Sequence, residues 1–415
     1  MRKKSTFINC METLKGNNKR RKARKLLNAG LKESALVQPV AAAPACSLSK
    51  PYIFPTIEGN LTYHTSWGTH GVKEEAGTIL SVLNAFRLTS TLVKINQGPR
   101  LTQYVIEPAP GTQVQYILRR EKEFQAALHC NATLRFDNGY VYIEVPTGTE
   151  TVFLGDMLID EKYQSSNGFT MAIGMAVDGS KHYIDIAKAC HILISGMTGS
   201  GKSIVLHNLI LSLLMKKNPE QMHLYIIDPK ATEFEYYKNL AACTVISDVN
   251  GAVDLLKNLC TEMDRRYSVL ASAGCRDIDS YNEKCANAPM RRDIIFIDEL
   301  SDLMSMGGKS VEGSIVRIAQ KARACGIHLV IATQYPVAKV VTGLIKANMP
   351  TKICLRVGTV TNSMVALDMA GGEKLMGHGD MLFLPNGSLT PVRLQGGFVS
   401  ETAINNIVYG LMKNQ

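Results

Sequence analysis

Between residues 168 and 415, short apolar runs alternate with longer stretches of helical spacing. The runs fall at 191–195, 224–228, 294–298, 329–333 and 352–357, and four of them end in a small or polar residue. They are continuous rather than alternating, the mark of strands covered on both faces. Helical periodicity fills 203–215, 252–273 and 312–325 between them. Strands joined by helical crossovers predict a parallel α/β sheet, in which ligands lie at the carboxyl ends of the strands.

Upstream the pattern is different. Apolar residues at Ala76, Ile79, Leu80, Leu83 and Phe86 keep one helical face over 74–86. Short strands are predicted at 92–95, 101–106 and 140–145, with a helix at 118–129, so 70–160 forms a small α+β domain. Residues 35–69 begin Ala/Pro-rich and are assigned to a linker. Residues 161–415 form the larger domain. No internal repeat interrupts this order.

Charge changes the picture at one end only. Residues 1–34 hold eleven Lys/Arg against Glu12 and Glu33, so this arm carries +9 of the formal net charge of +10. It is read as a disordered arm, either touching a polyanion or simply solvated. The ten cysteines form no C-x-x-C pair, and singles such as Cys190, Cys243, Cys325 and Cys354 lie within apolar runs, as reduced core thiols in a cytosolic protein do. No segment reaches the ~18 consecutive apolar residues a membrane helix needs. The basic start lacks a following apolar stretch, so no signal peptide is read. A soluble, cytoplasmic protein is expected, without membrane insertion.

The chemistry concentrates in the larger domain. Gly196, Met197, Thr198, Gly199, Ser200, Gly201, Lys202 and Ser203 form a complete G-x-x-x-x-G-K-S loop between a strand and a helix. Its glycines let backbone N–H groups turn toward phosphate oxygens, and the helix N-terminus adds the positive end of its dipole. Lys202 is placed to reach the β- and γ-phosphates of ATP and Ser203 to ligate Mg²⁺. The run Ile294-Ile-Phe-Ile ends in Asp298 and Glu299. Asp298 suits the Mg²⁺ shell and Glu299 the polarisation of an attacking water, which favours ATP hydrolysis over storage. Gln334, after the run ending in Thr333, either senses the γ-phosphate or caps a turn.

Several segments in one order resemble the FtsK/SpoIIIE family of DNA translocases: the loop at 196–203, Ile227-Asp-Pro-Lys230, Asp298-Glu-Leu-Ser-Asp302, 319–328, Ala332-Thr-Gln334, 342–348 and 377–382. The resemblance extends over about 70–415, since Gly98-Pro99 and Ala109-Pro-Gly111 are similar to the small domain preceding that motor. It implies a RecA-like P-loop ATPase forming a homo-oligomeric, hexameric ring around double-stranded DNA. It also implies an arginine finger from a neighbouring subunit, with Arg323 at the matching position and Arg317 as the fallback.

Departures from the family pattern bear on the cargo. Tyr335, Val360 and Met364 stand where the family carries residues thought to face DNA, several of them basic, whereas Thr333 and Lys346 remain and Lys339 or Arg356 lies close enough to compensate. Fewer cations predict weaker, less salt-sensitive DNA binding. Without the family's membrane region or winged-helix module, a short version from a phage, plasmid or other mobile element is expected. The alternatives are a motor for protein secretion or conjugative coupling, recruited by a separate anchor protein, and a nucleotide-dependent regulator with little turnover.

Overall fold

The computed structural model describes residues 52–64, 73–146 and 150–413. The basic arm lies outside these residues.

The first layer is a four-stranded antiparallel sheet, order β1-β2-β4-β3, of β1 (Ser90–Gln97), β2 (Leu101–Pro108), β3 (Thr133–Asp137) and β4 (Tyr140–Pro146). Helices α1 (Lys73–Ala85) and α2 (Glu121–Leu128) cover one face. Strand alternation sends Tyr104, Ile106, Val141 and Ile143 into a core with Ile79, Leu83 and Phe124. Gln103 and Glu144 are buried on the opposite face, turned away from that core. The helix expected at 118–129 is broken, because a five-residue turn of helix at Val114–Leu118 ends at Arg119 before α2 begins. Strand β3, with Asp137 followed by Asn138 and Gly139 at positive φ, is a hairpin partner that the apolar pattern missed.

The second layer is a ten-stranded sheet, order β6-β5-β14-β13-β12-β7-β11-β10-β8-β9. Its parallel half contains β7 (His191–Ser195), β8 (Met222–Ile227), β9 (Cys243–Ile246), β10 (Arg292–Ile297), β11 (Ile327–Thr333) and β12 (Thr351–Leu355). Strands β5 (Thr170–Ala176), β6 (Lys181–Asp185), β13 (Asp380–Leu384) and β14 (Val392–Gln395) extend it antiparallel. Successive residues divide between two cores. Ile294, Phe296, Val330 and Ala332 meet helix α3 (Lys202–Leu214), and Ile295, Ile297, Leu329 and Ile331 meet α4 (Val249–Ala273) and α5 (Leu300–Lys321). Burial on both faces is why these strands read as unbroken apolar runs. Helix α5 starts twelve residues before the predicted 312 and bends at Gly308, whose φ of 44° lies outside the helical region. Helices α6 (Val360–Leu367) and α7 (Glu401–Lys413) complete the layer.

Two boundaries move. Tyr52, Ile57 and Leu61 pack on the core around α3, and the His64 N–H donates to Asp156 Oδ1 at 2.5 Å, so this end of the expected linker is anchored. Val152, Leu154, Met157 and Leu158 are buried in the same core. The apolar side chains of 152–158 therefore pack with the larger domain rather than closing the small one at 160.

Candidate nucleotide site

Strand β7 delivers the chain to the carboxyl edge of the sheet, and the loop 196–201 returns it into α3. Gly199 and Gly201 take φ of 77° and 98°, left-handed values that disfavour side chains. A Cβ on Gly201 would also lie 2.6 Å from the Gly379 nitrogen. The loop is braced from both neighbouring strands: Gly196 N–H donates to Thr333 O (3.1 Å) and Met197 N–H to Arg356 O (2.9 Å). The first turn of α3 directs its amide N–H groups into this cradle.

Lys202 is 5% exposed, and its Nζ donates to the Asp298 carbonyl (2.7 Å) and to Asp298 Oδ1 (2.6 Å). Strand order makes this contact. β10 lies one strand beyond β11 from β7, so Asp298 emerges facing the loop. Glu299 is 1% exposed and caps α5. Its Oε1 accepts from Thr333 Oγ1 (2.8 Å) and Ser301 Oγ (2.8 Å), and its Oε2 accepts from Gln334 N–H (2.9 Å). Gln334 Oε1 accepts from Thr198 Oγ1 at 2.9 Å, so this side chain touches the phosphate loop itself. The loop, both carboxylates and Gln334 thus converge.

Asp228 and Glu233 join them. At the end of β8, the fully buried Asp228 carboxylate accepts N–H bonds from Lys230, Thr232, Glu233 and Phe234 at 3.0–3.3 Å, which shapes the following loop. That loop brings Glu233 to the Ser203 hydroxyl. Burial, with the negative charges of Asp298 and Asp228, pushes the Glu233 carboxyl above its ordinary pKa against the pull of Lys202 and Ser203. Sequence reasoning missed Glu233, whose only signal was its place five residues after a strand-ending aspartate.

The remaining expected residues scatter. Arg323 is exposed in the turn between α5 and β11, four residues before the strand, where Nη2 reaches Lys188 O at 3.5 Å. The seven residues of β11 separate it from Gln334 by about 20 Å, at ~3.3 Å per residue. It therefore faces away from its own phosphate loop. Arg317 pairs with Asp264 at 2.6 Å. Lys339 is exposed, whereas Lys346 is half-buried and paired with Asp368 at 2.6 Å. Thr333, expected at the DNA, is fully buried in this chain and donates its hydroxyl to Glu299. Tyr335, Val337, Val360 and Met364 are each at least 40% exposed, giving this edge an apolar lip.

A phosphate loop after the first parallel strand of the sheet, with two carboxylates ending a strand beyond its neighbour, defines a P-loop NTPase fold of the RecA-like class. Residues 154–338 match the sequence model of the FtsK/SpoIIIE family, and residues 61–147 match that of the FtsK alpha domain. The chain belongs to the FtsK/SpoIIIE family. It is 39% identical over 376 residues to the DNA translocase SftA of Bacillus subtilis, covering 86% of this chain and 39% of that protein. To the DNA translocase FtsK of Caldanaerobacter subterraneus it is 40% identical over 351 residues, covering 82% and 49%. The chain thus spans less than half the length of these relatives. Among solved structures, the monomer of the pCW3 conjugation coupling protein TcpA with ATPγS superposes with a TM-score of 0.59 at 25% identity, covering 81% of this chain and 99% of that one. The cytoplasmic domain of the Thermomonospora curvata type VII secretion ATPase EccC gives 0.56 at 24% identity over 63% of this chain and 34% of that one. Among the described residues no helix is long and apolar enough to cross a membrane.

Proposed function

We propose that this protein is an ATP-hydrolysing motor that moves along double-stranded DNA as a ring, hexameric as the resemblance implies, in the cytoplasm. The observation that carries the reading is Glu299. A carboxylate 1% exposed, fixed through both oxygens by Thr333, Ser301 and Gln334, is held beside the phosphate loop with its orientation set in advance. Such a group polarises a water for in-line attack. Gly199 and Gly201 open the loop to phosphate oxygens, and Lys202 supplies the positive charge. The donor set of Ser203 and Asp298 fits Mg²⁺, which would neutralise charge on the β- and γ-phosphates. Gln334, held to Thr198, is in place to register what the loop carries.

Arg323 supports the ring. It is exposed on the edge of the sheet away from its own loop, so its use as an arginine finger requires a neighbouring subunit. Duplex DNA is the leading cargo because the named relatives are DNA translocases. The lip of Tyr335, Val337, Val360 and Met364 favours one second reading, a conjugative or secretion motor whose cargo includes polypeptide.

The test is the steady-state ATPase rate of the purified protein across a salt series, with and without linear duplex DNA, using Lys202→Ala as control. Stimulation by DNA that salt removes is the expected result. Hydrolysis indifferent to DNA at every salt concentration would discard the DNA reading in favour of a protein cargo.

A further inference from the structure

The small domain meets the larger sheet at the segment 374–380, which leads into β13, at Arg393 of β14, and at Val177 just beyond β5, against which Gly98 packs. Lys374 pairs with Glu121 of α2 at 2.9 Å, and Arg100 Nη1 donates to the His378 carbonyl at 3.3 Å. The third contact is buried. Glu144 of β4 pairs with Arg393 of β14, and Arg393 holds both oxygens of Asp380, Nε to Oδ1 at 3.0 Å and Nη2 to Oδ2 at 2.7 Å. Glu144 also accepts from Arg135 Nε and Gln103 Nε2, both at 3.1 Å. Asp380 closes its own turn by accepting the Met376 N–H at 2.7 Å. Burial acts to raise the Glu144 pKa, but Arg393 and Arg135 beside it hold it below the usual carboxylate range, so the cluster is ionised at neutral pH. Buried charges this well matched are costly to separate, which makes the arrangement stiff.

The other side of this segment is a wall of the phosphate loop. Gly379 N–H donates to Ser200 O at 2.8 Å. The Ser200–Gly201 peptide is planar and trans, so its carbonyl and its N–H point in opposite directions. Holding the Ser200 oxygen against Gly379 therefore turns the Gly201 N–H toward the phosphate side. Gly377, His378 and Gly379 take φ of 87°, 52° and 89°, a backbone shape that Asp380 and Arg393 fix from behind.

We propose that Asp380 and Arg393 are positioning residues for the phosphate loop, and that the small domain sets nucleotide affinity through them. Glu144 docks Arg393, Arg393 fixes Asp380, and the turn before Asp380 orients the Gly201 N–H. This inference rests on the nucleotide-site reading above. By reciprocity, nucleotide in the loop tightens the small domain onto the motor.

The experiment measures the Kd of a fluorescent, non-hydrolysable ATP analogue for the full chain and for Glu144→Gln and Arg100→Ala, both changes lying in the small domain. Hydrogen exchange across residues 140–146, with and without the analogue, provides a readout that an interface fastening alone would not move. The expected result is a Kd raised about fivefold or more in Glu144→Gln and raised in Arg100→Ala, together with nucleotide-induced protection of 140–146 in the wild type that Glu144→Gln loses. A Kd within about twofold of wild type in both variants, or no nucleotide-induced protection in the wild type, overturns the inference. Where Glu144→Gln does not fold, Arg100→Ala decides. Lys202→Ala separates the two claims: if it binds the analogue as wild type does, the nucleotide-site reading itself fails.

Discussion

Replacing Thr333 with valine distinguishes the chemistry of this site from the channel contact that its sequence position suggests. The change removes a hydroxyl whose Oγ1 donates to Glu299 Oε1 at 2.8 Å and accepts from the half-buried Tyr335 N–H at 3.2 Å. Solvent can reach the Tyr335 N–H, but at the buried Glu299 Oε1 nothing replaces the Thr333 hydroxyl, and only the Ser301 donors remain on that oxygen. A hydrogen bond to a charged group contributes about 1.5–3 kcal/mol. If that interaction sets the orientation of Glu299 during attack, its loss lowers kcat roughly 10- to 100-fold, since ~1.4 kcal/mol is a factor of ten. Nucleotide Kd stays near wild type, because Glu299 acts on the water rather than on the bound phosphates. The assay is basal ATP turnover without DNA, beside nucleotide and duplex-DNA affinities, with Thr333→Ser as the variant that keeps the hydroxyl. Unchanged basal turnover with weakened DNA binding would refute the reasoning and return Thr333 to the channel.

Three further outcomes follow from the geometry. Arg323→Ala is expected to bind nucleotide yet hydrolyse it at least about 100-fold more slowly, and equimolar mixing with Lys202→Ala should restore a fraction of the rate; no recovery on mixing would count against an arginine supplied between subunits. Asp228→Asn should lower stability by about 1.5–3 kcal/mol, read from urea unfolding, because four N–H groups lose a charged acceptor. Burial depresses the pKa of His191, His207 and His223 to about 4 and that of His328 to about 3. The unfolded chain, with ordinary histidines near 6.5, then binds more protons than the folded one as pH falls. Stability is therefore whole above pH ~6.5 and is lost toward pH 4, by up to about 1.4 kcal/mol per pH unit for each histidine. Equal urea midpoints at pH 7 and 5.5 would contradict this.

The sequence alone determined the parts that rest on local spacing. Continuous apolar runs announced strands buried on both faces, and the G-x-x-x-x-G-K-S spacing announced the phosphate loop, because each depends on residues close in the chain. It also placed Asp298 and Glu299 at a strand end. It did not reveal β5, β6, β13 or β14, antiparallel additions recognisable only from their partners. Nor did it reveal that Tyr52, Ile57 and Leu61 fold back on the core of the larger domain.

Only the tertiary structure decided what each polar residue does. Thr333 read as a channel contact by position, yet the order β7-β11-β10 sets it between loop and carboxylate, where its hydroxyl serves Glu299. Arg323 read as a finger, and the length of β11 shows that its own loop is out of reach. Glu233 was invisible until Asp228 folded the loop that carries it to Ser203. Glu144 and Arg393 stand 249 residues apart in the chain and meet in one buried ion cluster. Burial and strand order act between residues distant in sequence, so pairings of this kind leave no local pattern to read.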